Sequence, residues 1–333
     1  MKNLFLITLI TCTTISAMGQ LSTVSNDKPM GYVNPALQNY DLEKGVVSVS
    51  YVINPLVKDT IPAGILAIAE FKINEKLRVG VSAFQVENRL SKSQTAKAYL
   101  SYKLELEPGN YIIVGANIGA YTDEVRVTEF NKVFAPNKFS YGPDSSATGK
   151  ESGIDLGVGI AYSYNGFQVG LGFGKVNRPA AYPFPISEIE KAYNPSDPKD
   201  SFFVHKDTSV MLESGNFGIE INFNAIYEWN LNENIKILHS LHVGNLDLAG
   251  VDYLGLQNIV KINNRHSIGL GAFYNGTPGF IGSLGYGISE DFKVEVATFF
   301  TQDLNFDPTV GKYGDYVNDG YQPSFEFNLR YEF

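Results

Sequence analysis

Four histidines, one glycine-rich run and a single cysteine are the places in this 333-residue chain that invite a chemical reading. His205, His239, His242 and His266 form no His-Glu-x-x-His motif and have no cysteine to complete a zinc set. His239 and His242 lie three apart, so on an extended strand they point to opposite faces and cannot hold one metal between them. Gly170-Leu171-Gly172-Phe173-Gly174-Lys175 lacks the spacing and the following Ser/Thr of a phosphate-binding loop. It reads instead as a strand with small residues on one face. Serines, histidines and acids from distant strands could assemble a triad, but no motif marks a nucleophile. The chain is therefore read as non-enzymatic, with no cofactor and no metal.

Aromatic residues offer more than the polar ones. Arg178–Pro185 reads RPAAYPFP and Tyr193–Pro198 reads YNPSDP, with Ile186–Ala192 between them expected as one short helix. Prolines lower the entropy cost of holding such a segment in one shape. Tyr182, Phe184, Tyr193, Phe202 and Phe203 are anchors of the type that dominate protein interfaces. A second loop, 121–152, adds Phe130 and Phe134. Two uses stay open: the aromatics fold the loops together as a cap, or they form a surface for a partner.

The elements that carry these loops are strands. Phe325, Phe327, Leu329, Tyr331 and Phe333 alternate with Glu326, Asn328, Arg330 and Glu332, a period of two that puts the apolar set on one face. An edge this apolar is an aggregation hazard in water, and closing it against the first strand of a barrel removes the hazard. The same alternation recurs from about Gly45 onward. It gives strands at 45–53, 63–73, 77–87, 95–106, 110–120, 153–164, 167–177, 215–229, 235–248, 251–262, 266–275, 279–288, 292–302 and 321–333. Asn74–Lys76, Pro108-Gly109, Asn165-Gly166, Leu231–Asn234, Asn263–Arg265 and Ser289–Asp291 are tight turns. The other connections vary in length, three of them long: 121–152, 178–214 and 303–320. Tight and long connections alternate, as periplasmic turns and extracellular loops do in an outer-membrane barrel. The fold class is all-β, a transmembrane outer-membrane β-barrel of about 14 antiparallel strands.

Composition agrees. Hydrophobic residues make up 44% and mean hydropathy is −0.08, yet no run after the N-terminus reaches the ~18 apolar residues of a membrane helix. Barrels hide their hydrophobicity in alternation. The net charge of −9 argues against nucleic acid, which calls for a basic patch. Met1–Gly19 is read as an export signal: Lys2, an apolar run from Leu4 to Ile15, then Ala17-Met18-Gly19. Cys12 sits inside that run behind Leu9-Ile10-Thr11, a poor lipobox too close to the N-terminus, and is the only cysteine, so the exported chain has no disulfide framework. The organisation is thus signal 1–19, an N-terminal segment 20–44, and a barrel 45–333, placed in the outer membrane.

The inner face of the expected barrel is rich in glycine: Gly157, Gly159, Gly170, Gly172, Gly174, Gly269 and Gly271. Glycine weakens a strand and needs a local reason. Two reasons stay open. The wall curves there, or a plug approaches closely, the candidate being the N-terminal segment with Asn34-Pro35-Ala36.

Tyr32-Val33-Asn34-Pro35-Ala36 near the N-terminus, Ala98–Leu104 before a glycine turn, Gly153–Tyr162 with Phe167–Gly174, and the hairpins from Phe280 to Phe333 resemble the PorP/SprF family of the type IX secretion system. Asn-Pro-Ala also occurs in the hatch of the fourteen-stranded FadL-like transporters. The PorP/SprF resemblance implies an accessory that binds a secreted surface protein or adhesin and works with other type IX components, sometimes in gliding motility. The FadL resemblance implies a channel for small or hydrophobic solutes. Either way outer-membrane lipid surrounds the chain.

Overall fold

Each tight turn is built by residues suited to it. Asn165-Gly166, with φ of 48° and 78°, is the left-handed two-residue turn that matches strand twist, and Asn263-Asn264 (53° and 54°) take the same backbone form in the three-residue connection between Ile262 and His266. Asn74 accepts hydrogen bonds from the Lys76 and Leu77 amides, both 2.9 Å, and Asn232 does the same for Asn234 and Ile235. Side-chain carbonyls thus stand in for backbone partners where the chain reverses.

The computed structural model describes residues 30–37, 45–53, 63–87, 91–126, 148–174, 176, 181–194, 197–213, 220–247, 250–274, 278–307 and 315–333. The expected export signal, Phe130 and Phe134 lie outside these residues. The strands are β1 (Gly45–Ile53), β2 (Ala63–Lys72), β3 (Leu77–Glu87), β4 (Ser91–Glu107), β5 (Asn110–Arg126), β6 (Thr148–Tyr164), β7 (Phe167–Gly174), β8 (Ala181–Asn194), β9 (Asp197–Glu213), β10 (Glu220–Asn230), β11 (Ile235–Asp247), β12 (Gly250–Ile262), β13 (His266–Tyr274), β14 (Pro278–Gly287), β15 (Phe292–Asp307) and β16 (Asp315–Glu332). Fourteen of them close into an antiparallel barrel, and β8 and β9 form a separate two-stranded sheet.

Closure is made by β1 and β16, which run antiparallel from Val46↔Glu332 to Ile53↔Phe325. Gly45 and Phe333 exchange backbone hydrogen bonds of 2.9 and 3.1 Å at the seam. Phe333 then packs on Phe71 of β2, ring centroids 5.8 Å apart. The apolar side of the last strand faces outward and its Glu326, Asn328 and Arg330 are buried inward, as alternation requires.

The outward face as a whole is apolar, with Leu270 68% exposed, Ile118 57% and Val158 50%. Exposed aromatics rim this band at both ends. Tyr164, Phe167 and Tyr227 are cross-strand neighbours at the turn end, with Trp229, Tyr286 and Tyr331 nearby in the same zone. Tyr51, Tyr274, Phe280 and Phe300 lie at the loop end. An apolar band between aromatic girdles is the outer surface of a barrel built for lipid.

Two expectations change. Ile186–Ala192 is not a helix; it lies within β8, paired with β9 through Ile186↔Thr208 and Ala192↔Phe202. Tyr182, Phe184 and Ile186 alternate with Pro183, Pro185 and Ser187, a period-two pattern incompatible with a helical face, and a partner strand of matching length favours the ladder. The connections at 121–152 and 303–320 are also shorter than expected. β5 and β6 extend to Arg126 and back from Thr148, and β15 and β16 to Asp307 and back from Asp315.

Val158→Arg places a guanidinium in the middle of the apolar band. It should cost about 2–4 kcal/mol in urea titrations of the barrel in lipid vesicles, against about 0–1 kcal/mol for Thr122→Arg near the loop end. Equal costs at the two positions would contradict the assigned band.

Candidate functional site: the inner wall and the outer hairpin

Two parts of the fold stand apart from the plain barrel wall. The first is Met30–Leu37, a compact pair of turns inside the barrel. The Val33 and Asn34 amides donate to the Met30 carbonyl at 3.0 and 3.1 Å, and Leu37 N donates to Asn34 O at 2.9 Å. Asn34 Oδ1 accepts from Ala36 N at 3.0 Å, so the asparagine side chain fixes the bend that Pro35 begins. Asn34 and Ala36 are wholly buried.

Inward-facing glycines of β5, β6 and β7 make room for these turns. A methyl group on Gly159 would land on the Asn34 side-chain oxygen, and one on Gly115 would lie 2.5 Å from the Pro35 carbonyl carbon. A methyl group on Gly170 would lie 3.0 Å from Asn34 Nδ2, and one on Gly172 3.1 Å from Asn34 Cβ. Beside the glycines, Met30, Ala36 and Leu37 pack with Ile113 and Ala161 of the wall. Tyr32 reaches the next apolar cluster, Leu66, Ile68 and Tyr99. Other glycines answer to the wall itself: Gly271 abuts the Leu256 carbonyl, and Gly269 abuts Ser283. Both reasons for inner-face glycine therefore apply, and β5 and β6 show both: Gly115 and Gly159 face the turns, whereas Gly119 and Gly157 face neighbouring wall residues. Gly115 was missed in the sequence because it and Gly119 lie four apart in β5 rather than in a period-two run; the run Gly170-Gly172 beside Gly159 was the visible signal.

Much of the remaining inner face is polar, with side chains that bridge neighbouring strands. Lys97 bridges Asp155 at 3.0 Å, the Tyr99 hydroxyl donates to Glu70 at 3.2 Å, and Ser48 and Ser50 donate to Asn328 Oδ1 at 2.7 and 3.2 Å. His242 points inward, with Nδ1 2.7 Å from Asn224 Oδ1, whereas His239 points outward, stacks on Tyr227 and meets Asn258. The two histidines are on opposite faces and share no ligand position. His266 packs on Tyr286 near the turn end. Towards the loop end the inner face turns apolar again, with Val52, Val86, Phe273, Ile281 and Phe299 in one cluster.

The second part is the β8–β9 hairpin. It carries the backbone positions of Tyr182, Phe184, Tyr193, Phe202 and Phe203, bringing Tyr182 opposite Leu212 and Phe203 opposite Lys191. Because β7 pairs directly with β10 (Gly174↔Glu220), the hairpin is an insertion that the barrel does not need for closure. It stands at the end of the barrel where the longer connections lie.

A family model described as type IX secretion system membrane protein PorP/SprF matches residues 31–306. The chain belongs to the PorP/SprF family. Solved structures give the architecture independently. The CymD monoaromatic hydrocarbon channel matches with a TM-score of 0.56 and 12% identity, over 93% of this chain and 94% of that one. The P. putida toluene transporter TodX gives 0.55 and 9%, over 90% and 92%, and a Pseudomonas aeruginosa FadL homologue 0.52 and 10%, over 93% and 95%. At such identity these likenesses show a shared FadL-like fourteen-stranded barrel fold and nothing of what passes through it. No match is found among curated proteins. Within the PorP/SprF match, the region begins at Gly31 and so takes in the Asn34-Pro35-Ala36 turn as well as the wall that receives it.

Gly159→Val should displace that turn. Thiol labelling of the Ala36→Cys variant, in a Cys12→Ser background, should then accelerate at least about tenfold, the equivalent of ~1.4 kcal/mol. Gly282→Val, where a side chain meets nothing within 4 Å, should leave the labelling rate unchanged.

Proposed function

We propose that this PorP/SprF protein is an outer-membrane accessory of type IX secretion that binds a secreted surface protein or adhesin and supports its export or attachment, including the adhesins of gliding motility. The observation that carries this reading is family membership across residues 31–306. On this reading the export signal at residues 1–19 delivers the chain, and outer-membrane lipid covers the apolar band. The turn end faces the periplasm and the loop end the outside, as the short and long connections of such barrels do. Met30–Leu37 acts as a plug: it approaches from the turn end, where β1 begins, and is seated on glycine rather than spanning an open pore. The hairpin then offers the partner surface, with Tyr182, Phe184, Tyr193, Phe202 and Phe203 as its anchors.

A second reading, a channel for small or hydrophobic solutes, draws on the inner apolar cluster of Val52, Phe273, Ile281 and Phe299. The two readings place the working surface differently. The accessory works through its outer loops, the channel through its lumen.

Replacing 181–213 by a short Gly/Ser linker between β7 and β10 separates them. The barrel should still fold, since β7–β10 pairing is untouched, and should keep its heat-dependent shift on gels. An exported surface protein should disappear from intact cells while solute uptake holds. Normal surface display with reduced uptake of a monoaromatic solute would favour the channel.

A further inference from the structure

The two backbone edges of the β8–β9 hairpin are not alike. A proline has no N–H, so in an unbroken antiparallel ladder it fills a position whose N–H points away from the partner strand. Pro183 and Pro185, opposite Met211 and Ser209, therefore mark the positions of β8 that face away from β9. Two successive donors are missing from that outer edge. β8 is also the strand of the pair that approaches the barrel, alongside β6.

The register carries this parity across to β9. Met211 and Ser209 face outward because their partners do, and so do Asp207, His205, Phe203 and Ser201 opposite Ser187, Ile189, Lys191 and Tyr193. None of the six is proline, and each presents an N–H and a C=O at the 6–7 Å repeat of an extended strand. Among the described residues no third strand covers this edge. Natural sheets blunt long open edges with proline; the β9 edge from Ser201 to Met211 has none, its one proline being Pro198 beside the hairpin tip. The sheet can therefore grow at β9 and not at β8.

We propose that the outer edge of β9 docks an extended segment of the exported protein, which joins the hairpin as a third strand through main-chain hydrogen bonds. The proposal rests on the accessory reading and deepens it. A row of paired donors and acceptors at strand spacing is complementary to extended backbone and to little else. The hairpin also stands at the end of the barrel assigned to the outside, where an exported chain emerges. Main-chain recognition tolerates varied side chains, so the docked segment is defined by its extended form and its freedom from proline at alternate positions.

The test uses the full-length protein in cells, with a photo-crosslinking residue at Ser201. It compares the unmodified edge, Phe203→Pro/Asp207→Pro, Ser187→Pro on the blunted edge, and deletion of 181–213. Prolines at 203 and 207 remove outward donors and leave the β8–β9 ladder intact. The expected result is an adduct with a protein displayed on the surface, with adduct and display both falling about tenfold in the double variant and unchanged in Ser187→Pro. If the double variant loses its heat-shifted barrel band, Ser209→Pro replaces it with the same expectation. Full display in the edge variants, with loss only on hairpin deletion, overturns edge docking and keeps the accessory reading. Full display after deletion overturns the hairpin's part in export altogether. An adduct between two copies of this chain overturns the proposal in favour of a dimer interface.

Discussion

Everything in this molecule depends on the pairing of β1 with β16. Backbone N–H and C=O groups inside a bilayer find no water, so a sheet there must have no open edge. The seam meets this demand with a ladder from Val46↔Glu332 to Ile53↔Phe325, locked at its end by Gly45 and Phe333. Once the sheet is closed, the period of two has only one arrangement. Phe327, Leu329 and Tyr331 must face lipid and Glu326, Asn328 and Arg330 the interior. A register slip of one residue would exchange the two sets and place two ionisable groups and an amide in hydrocarbon, so pairing and sidedness hold one another in place.

An interior so made is a problem as well as a result. Fourteen strands enclose more space than wall side chains fill, and the chain answers differently around the circumference. On β5–β7 it shortens the wall to glycine and seats Met30–Leu37 directly on the backbone. Elsewhere, polar side chains bridge neighbouring strands, as Lys97 does to Asp155 and Ser48 to Asn328. The outer hairpin escapes these constraints, because β7 and β10 close the barrel beneath it. That separation leaves the hairpin outside the closure that fixes the wall.

Much of the wall was legible in the sequence because its signals are local. Alternation in Phe325–Phe333 and Gly153–Tyr162, with Asn165-Gly166 and Asn74–Lys76 as turns, gives strand positions and the inward and outward faces without any tertiary information. The fourteen-strand count follows from these. Ile186–Ala192 escaped because seven residues bounded by prolines carry too few turns to separate helix from strand; the deciding fact is the pairing with Thr208 to Phe202, which is not local. For the same reason Gly159, Gly170 and Gly172 announced a close approach without saying by what. The answer lies more than a hundred residues earlier, at Asn34. Loop aromatics at Tyr182 and Phe203 could be read as candidate anchors, but their pairing partners and the unequal edges of the hairpin depend on register.

On the proposed accessory reading, the turns seated on the inner wall and the inserted hairpin assign the work to the loop end rather than to the centre. Family membership gives the system in which it works, and the fold gives the surface available for the work. The most direct measurement is a quantitative comparison of surface-exposed proteins, alongside uptake of small aromatic solutes, in cells with and without this chain. The account predicts selective loss of one or a few exported proteins from the surface while uptake is unchanged. An intact set of surface proteins together with lowered uptake would contradict it.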